Sequence, residues 1–134
     1  MDAIVHTFFE QTPDANVAKE RVAFGTSGHR GRATERTFNA AHIIAITQAV
    51  VDFRNEEGYK GPLFLGLDTH ALSRPAWECA LRVLVANQVP VLVEKGQNPP
   101  NPLYERGIGG IFTPAACPSP CAPLRRPVPR RRSS

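Results

Sequence analysis

Leu63-Phe64-Leu65-Gly66-Leu67, a helical stretch from Ser73 to about Ala86, and Val89-Pro90-Val91-Leu92-Val93 form the segment whose reading decides the fold. The two flanking runs lack polar alternation, as strands covered on both faces do. Between them, Ser73 can cap a helix, Pro75 is tolerated in its first turn, and Leu72 and Trp77 sit at staple spacing. Upstream, Asn39 can cap a second helix running to about Glu57, with Gly58 as its left-handed stop. Phe38 and Ile43 again have staple spacing. Ile43, Ile46, Val50 and Phe53 recur on one face, and Gln48, Asp52, Asn55 and Glu56 on the other. A third apolar run, Val22-Ala23-Phe24, reads as one more covered strand. The order strand, helix, strand, helix, strand predicts an α/β layer with right-handed crossovers. A weaker helix is expected over Ala3–Glu10, ahead of the Thr12-Pro13-Asp14 break.

The rest of the composition sets bounds. In 134 residues, 16 Lys and Arg face 12 Asp and Glu, for a net charge of +4. The excess belongs to the end of the chain: residues 1–112 hold eleven bases and twelve acids, while Arg125, Arg126, Arg130, Arg131 and Arg132 stand with no acid near them. A basic globular domain built around nucleic acid is therefore excluded. The apolar runs are far shorter than the ~20 residues of a bilayer span, so no membrane partner is expected. Three cysteines cannot close a disulfide framework, and the start Met1-Asp2-Ala3 has an acid where a signal peptide carries bases. A cytoplasmic protein is expected. Cys117 and Cys121 have no His or Cys pair nearby, so no zinc site is expected.

Past Lys95 the periodicity stops, and nine of the 13 prolines lie between Pro99 and Pro129. The division expected is a folded domain over 1–95 and a Pro/Arg-rich tail over 96–134. From Thr113 on, the tail has too little apolar surface to offset its ordering entropy and is expected to be disordered.

Phe24-Gly25-Thr26-Ser27-Gly28-His29-Arg30-Gly31 carries the chemistry. Three glycines at steps of three allow tight turning and close approach of backbone to a ligand. Thr26, Ser27, Gly28, His29 and Arg30 bring hydroxyls, amide N–H groups, an imidazole and a guanidinium fork, a set suited to a phosphate dianion. The spacing is neither the dinucleotide fingerprint nor the Walker loop. On these residues alone, a plain glycine-rich turn after a strand remains open beside a phosphate site.

The octet, the run Phe38-Asn39…His42-Ile43, and Gly66-Leu67-Asp68-Thr69-His70-Ala71-Leu72-Ser73 together resemble the first domain of the α-D-phosphohexomutase family over about residues 1–95. The resemblance implies a three-layer α/β/α domain. It also implies phosphoglucomutase activity, the interconversion of glucose 1-phosphate and glucose 6-phosphate in carbohydrate metabolism. A four-domain enzyme of this kind uses a phosphoserine, one Mg2+ and a bisphosphorylated sugar. Arg30 resembles the family arginine that faces the phosphoserine and is the candidate catalytic residue, while Thr26, Ser27, Gly28 and His29 share its loop. Asp68, His70 and Ser73 match a second family motif at a strand end.

The departures matter as much. The family serine sits in a Thr-Pro-Ser-His-Asn-Pro motif; the nearest stretch here is Thr113-Pro114-Ala115-Ala116, with alanine in the serine's place. The Asp-x-Asp-x-Asp loop for Mg2+ is missing, so no cofactor or metal site is expected in this chain, although the full-length family enzyme uses Mg2+. The expectation is a truncated domain, inactive alone, that binds phosphate or a sugar phosphate weakly, with its missing domains possible on a neighbouring chain. Two alternatives compete. One is a non-catalytic phosphate-binding module. The other is polyanion binding through the arginine-rich tail, although nucleic acid is not favoured because no aromatic residue follows Phe112 for base stacking.

Overall fold

The computed structural model describes residues 2–94, 104–106 and 111–114. Its elements run α1 (Asp2–Glu10), β1 (Phe24–Gly25), β2 (Gly28–His29), α2 (Ala40–Glu56), β3 (Leu63–Leu65), α3 (Ser73–Ala86), β4 (Val91–Val93), β5 (Tyr104–Arg106) and β6 (Ile111–Pro114), with 3-10 turns at Ala18–Glu20 and Ala33–Glu35.

β3, α3 and β4 form the β-α-β unit expected from the sequence. β3 and β4 pair in parallel, Leu63 opposite Val91 and Leu65 opposite Val93. β6 then adds antiparallel to β4 and β5 antiparallel to β6, giving the order β3-β4-β6-β5. The sheet thus continues beyond residue 95. Two of its strands come from the proline-rich stretch, and the second takes in Thr113 and Pro114. Parallel pairing leaves β4 a free edge away from β3, and antiparallel β6 fills its hydrogen bonds. Residues 115–134, where disorder is expected, lie outside the described residues.

The first strand also differs. Val22-Ala23-Phe24 does not join the sheet; only Phe24 and Gly25 are extended, in a separate hairpin with Gly28 and His29. Phe24 is 68% exposed. Local turn chemistry wins here, because a three-residue apolar run has little area to bury and the glycines beside it permit a hairpin.

Two apolar clusters hold the domain together. The larger joins Val51 of α2, Trp77, Leu81 and Leu84 of α3, and Val89 and Val91, with Leu63, Leu65 and Val93 of the sheet packed against it. The smaller joins Phe8 of α1, Ala33, Leu72 and Cys79, with Phe38 and Ile43 against it. Leu72 and Trp77 therefore serve different clusters and do not form the expected staple.

α2 begins at Asn39, which is extended, and ends in a Schellman closure. Gly58 has φ 72°, its N–H donates to Asn55 O, and Tyr59 N–H donates to Arg54 O at 2.9 Å. α3 closes in the same way on a non-glycine: Gln88 has φ 58°, and Val89 N–H donates to Leu84 O at 2.9 Å.

The buried face of α2 is rotated from the expected one. His42, Thr47 and Val51 are buried, whereas Val50 is 39% and Phe53 55% exposed. Gln48 and Asp52, expected in solvent, are half-buried. Gln48 Nε2 donates to Asp52 Oδ1, and Gln48 Oε1 accepts from Asn87 Nδ2 at the end of α3. Apolar residues occur nearly all round this helix, so periodicity cannot select the stripe. The partner helix α3 does.

Candidate functional site

The octet is a hairpin with Thr26 and Ser27 at its tip, Gly25 paired with Gly28 and Phe24 with His29. Gly28 has φ 104°, a conformation that side chains with a Cβ rarely adopt. Gly31 is constrained differently: a Cβ there would collide with the Thr37 carbonyl and Oγ1. Thr37 Oγ1 accepts the Arg32 N–H at 2.8 Å and so closes the segment that follows the hairpin. Two of the three octet glycines are thus required by conformation and by close approach.

Thr26, Ser27, Gly28 and Arg30 come together with Ala23 and Gly25 around a concavity of about 380 Å³. Arg30 is exposed, and among the described residues its guanidinium has no ion pair or hydrogen bond. Glu35, the acid nearest Arg30 in sequence, is already engaged by Lys19 at 3.0 Å and by Arg32 at 3.3 Å. The hydrogen bond from Lys19, then its charge, holds the Glu35 carboxyl below the usual carboxylate range. Among the described residues, the concavity therefore carries a cation with no acidic partner beside the Thr26 and Ser27 hydroxyls.

His29 does not line it. Its ring is half-buried and stacks on Phe38, with centroids 6.1 Å and planes 16° apart, and on His42 at 5.0 Å and 25°. Its Nδ1 lies 3.2 Å from Ala23 N and 3.1 Å from Ala23 O, while Nε2 is buried with no hydrogen-bond partner among the described residues. The His29 imidazole packs against Phe38 and His42, which ties the hairpin to the body of the domain. The sequence pattern Phe38-Asn39…His42 marked these partners without indicating their role. Ala23, which also lines the concavity, has no side-chain chemistry by which a sequence reading could find it.

The second motif is closed on itself. Asp68 Oδ1 accepts from the Ser73 hydroxyl and from His70 N–H at 2.9 Å, and His70 Nδ1 accepts from Leu72 N–H at 3.2 Å. The Ser73 hydroxyl, then the His70 amide, lowers the Asp68 carboxyl from its ordinary value. Ser73 is expected as a helix cap, yet α3 starts at Ser73 itself with Leu72 as its N-cap residue. Its hydroxyl serves Asp68 instead. Among the described residues no three His, Cys, Asp or Glu side chains gather as a metal site would need. These residues do not fit Mg2+. Ala115 lies outside the described residues.

Fold and loop together define the class: an α/β sheet domain carrying, apart from its main sheet, a glycine-rich hairpin that presents an arginine with no ion pair among the described residues. Residues 21–101 match the sequence family described as phosphoglucomutase/phosphomannomutase, alpha/beta/alpha domain I. A phosphoglucomutase of Komagataeibacter xylinus is 50% identical over 94 residues, which are 70% of this chain and 17% of that protein. The chain belongs to the phosphoglucomutase/phosphomannomutase family, and its fold is that family's α/β/α first domain. It spans about a sixth of the relative's length. Among the described residues no helix is long and apolar enough to cross a membrane.

Proposed function

We propose that this chain contributes the arginine-bearing anion loop of a phosphoglucomutase, binds phosphate or a sugar phosphate weakly through Thr26, Ser27, Gly28 and Arg30, and does not turn substrate over by itself. The observation that carries this reading is the unpaired Arg30 guanidinium at the concavity, beside a Glu35 committed to Lys19 and Arg32. A guanidinium suits a phosphate because it stays charged and can bind two oxygens at once. Within a complete enzyme, Arg30 would face the transferring phosphoryl group. Isomerisation by phosphoryl transfer needs a nucleophilic oxygen and a means of neutralising charge on the transferring group. The motif position for that oxygen is held by Ala115. The reaction would then require domains supplied elsewhere. Glucose as the sugar and the cytoplasm as the compartment belong to the same proposal, supported by the phosphoglucomutase relative and by cysteine usage.

The test is a titration of the whole chain with inorganic phosphate and with glucose 1-phosphate, following backbone amide shifts. Shifts confined to Gly25–Gly31, with dissociation constants on the order of millimolar, are expected. Arg30→Lys should weaken them, because the fork is lost while the charge stays. Still octet amides with responding Arg125–Arg132 amides would move the anion site to the tail. Steady conversion of glucose 1-phosphate in a coupled assay, above a boiled control, would overturn the claim of no turnover.

A further inference from the structure

His42 is 2% exposed at the start of α2, and both of its ring nitrogens are engaged. Nδ1 accepts the Asn39 N–H at 3.1 Å, and Nε2 lies 2.8 Å from the Glu20 carbonyl oxygen, to which it can only donate. One nitrogen accepting and one donating is the neutral imidazole. This ring is the surface on which His29 stacks, and His29 Nδ1 in turn lies within hydrogen-bond distance of Ala23 N and Ala23 O, at the entry to the octet, bonding one or the other according to its tautomer.

We infer that His42 is a positioning residue for the octet: in its neutral form it holds the stack that orders Gly25–Gly31, and its protonation releases the loop and weakens anion binding there. The second half rests on the anion-site reading; the first does not. A proton on Nδ1 would face the Asn39 N–H, setting two donors against each other at a buried site and placing a cation against the His29 ring. Several charged groups on the surrounding elements already have other partners. Lys19 is paired with Glu35, the Glu20 carboxylate accepts Asp14 N–H at 2.8 Å, and Arg21 Nε donates to Ala15 O at 2.7 Å. Arg32 pairs with Glu35, and Arg30 is a further cation after β2. His6 and Glu10 lie on α1, the helix that carries Phe8 beneath Phe38. Among the described residues no carboxylate bonds either imidazole.

The direction of the effect separates this from simple electrostatics. Acidification makes any protein more cationic and should tighten an anion. Loop release loosens it.

The experiment uses the whole 134-residue chain, labelled with 15N, at about pH 7.5 and about pH 5.5, the range over which histidines change charge. Without ligand, the Gly25–Gly31 amides should lose order at the lower pH while Thr47–Val51 in the middle of α2 keep theirs. Sulfate, which stays a dianion over this range, should bind about tenfold more weakly at the lower pH, a change of about 1.4 kcal/mol. His42→Gln should flatten both profiles, and His29→Leu, which leaves the start of α2 intact, should uncouple octet order from pH. An octet whose order is the same at both pH values, or a His42→Gln chain with the original profile, overturns the inference. Sulfate binding that tightens on acidification overturns it as well. Absence of sulfate shifts at pH 7.5 would sink the anion-site reading, and the ligand-free order measurement would still decide the role of His42.

Discussion

Gly31 lies so close to Thr37 that no Cβ fits between them. The contact is with backbone and with an Oγ1 that is itself bonded to Arg32 N–H and O, so neither side can swing away. Gly31→Ala must therefore displace the chain at the exit of the octet. A loss of roughly 2–4 kcal/mol in urea unfolding is expected, from overpacking plus a broken local network. Gly61→Ala is the control: a Cβ there meets nothing within 4 Å, and a change of less than about 1 kcal/mol is expected. Equal effects at the two positions would show that Gly31 owes nothing to Thr37.

The rotated face of α2 is tested by neighbours. Val51 is fully buried against Trp77, Leu81 and Leu84, whereas Val50 is 39% exposed. Val51→Ala should cost about 1–3 kcal/mol through lost burial and a residual cavity, and Val50→Ala under about 0.5 kcal/mol. The reverse ranking would restore the face that periodicity alone suggests.

α2 and the β3-α3-β4 unit were legible in the sequence because their determinants are local: Gly58 as the stop of α2, apolar runs between breakers for the strands, and Pro75 in the first turn of α3. The octet was legible for the same reason, and Thr26, Ser27, Gly28 and Arg30 do share one concavity. What escaped depends on distant partners. The inward turn of His29 requires Phe38 and His42, and His42 in turn requires the carbonyl of Glu20, 22 positions earlier. The stripe of α2 that is buried depends on α3. The sheet position of Ile111–Pro114 depends on an unfilled edge of β4, which no local pattern announces.

The Asp68 loop makes a pH-dependent prediction. Its carboxyl is lowered in the folded chain, chiefly by the Ser73 hydroxyl. A group with a depressed folded pKa contributes stability above its unfolded value, and loses that contribution as pH falls through the folded value. The ordinary value is 3.8. Ser73→Ala should therefore lower the urea midpoint at pH 7, and the gap to the parent chain should close as the pH falls below about 4. Asp68 is solvent-exposed, so the gap is small, and added salt should narrow it little because a hydroxyl carries no charge to screen. A gap that persists unchanged to pH 2 would mean that Ser73 acts through helix geometry and not through Asp68.

The last prediction concerns the end of α3. Gln88 takes the left-handed conformation, φ 58°, so that Gln88 N–H can reach Val85 O and Val89 N–H can reach Leu84 O. For a residue with a Cβ that conformation costs roughly 1 kcal/mol, a cost glycine does not carry. Glycine also leaves the unfolded chain more freedom, which takes back part of the gain. Gln88 is exposed, and Asn87, not Gln88, supplies the side-chain link to Gln48, so no contact is forfeited. Gln88→Gly should raise stability by about 0.5–1 kcal/mol in urea unfolding. Gln88→Val, β-branched and poorly tolerated at positive φ, should lower it. If glycine destabilises and valine is neutral, the closure at Gln88 is not the one that ends α3.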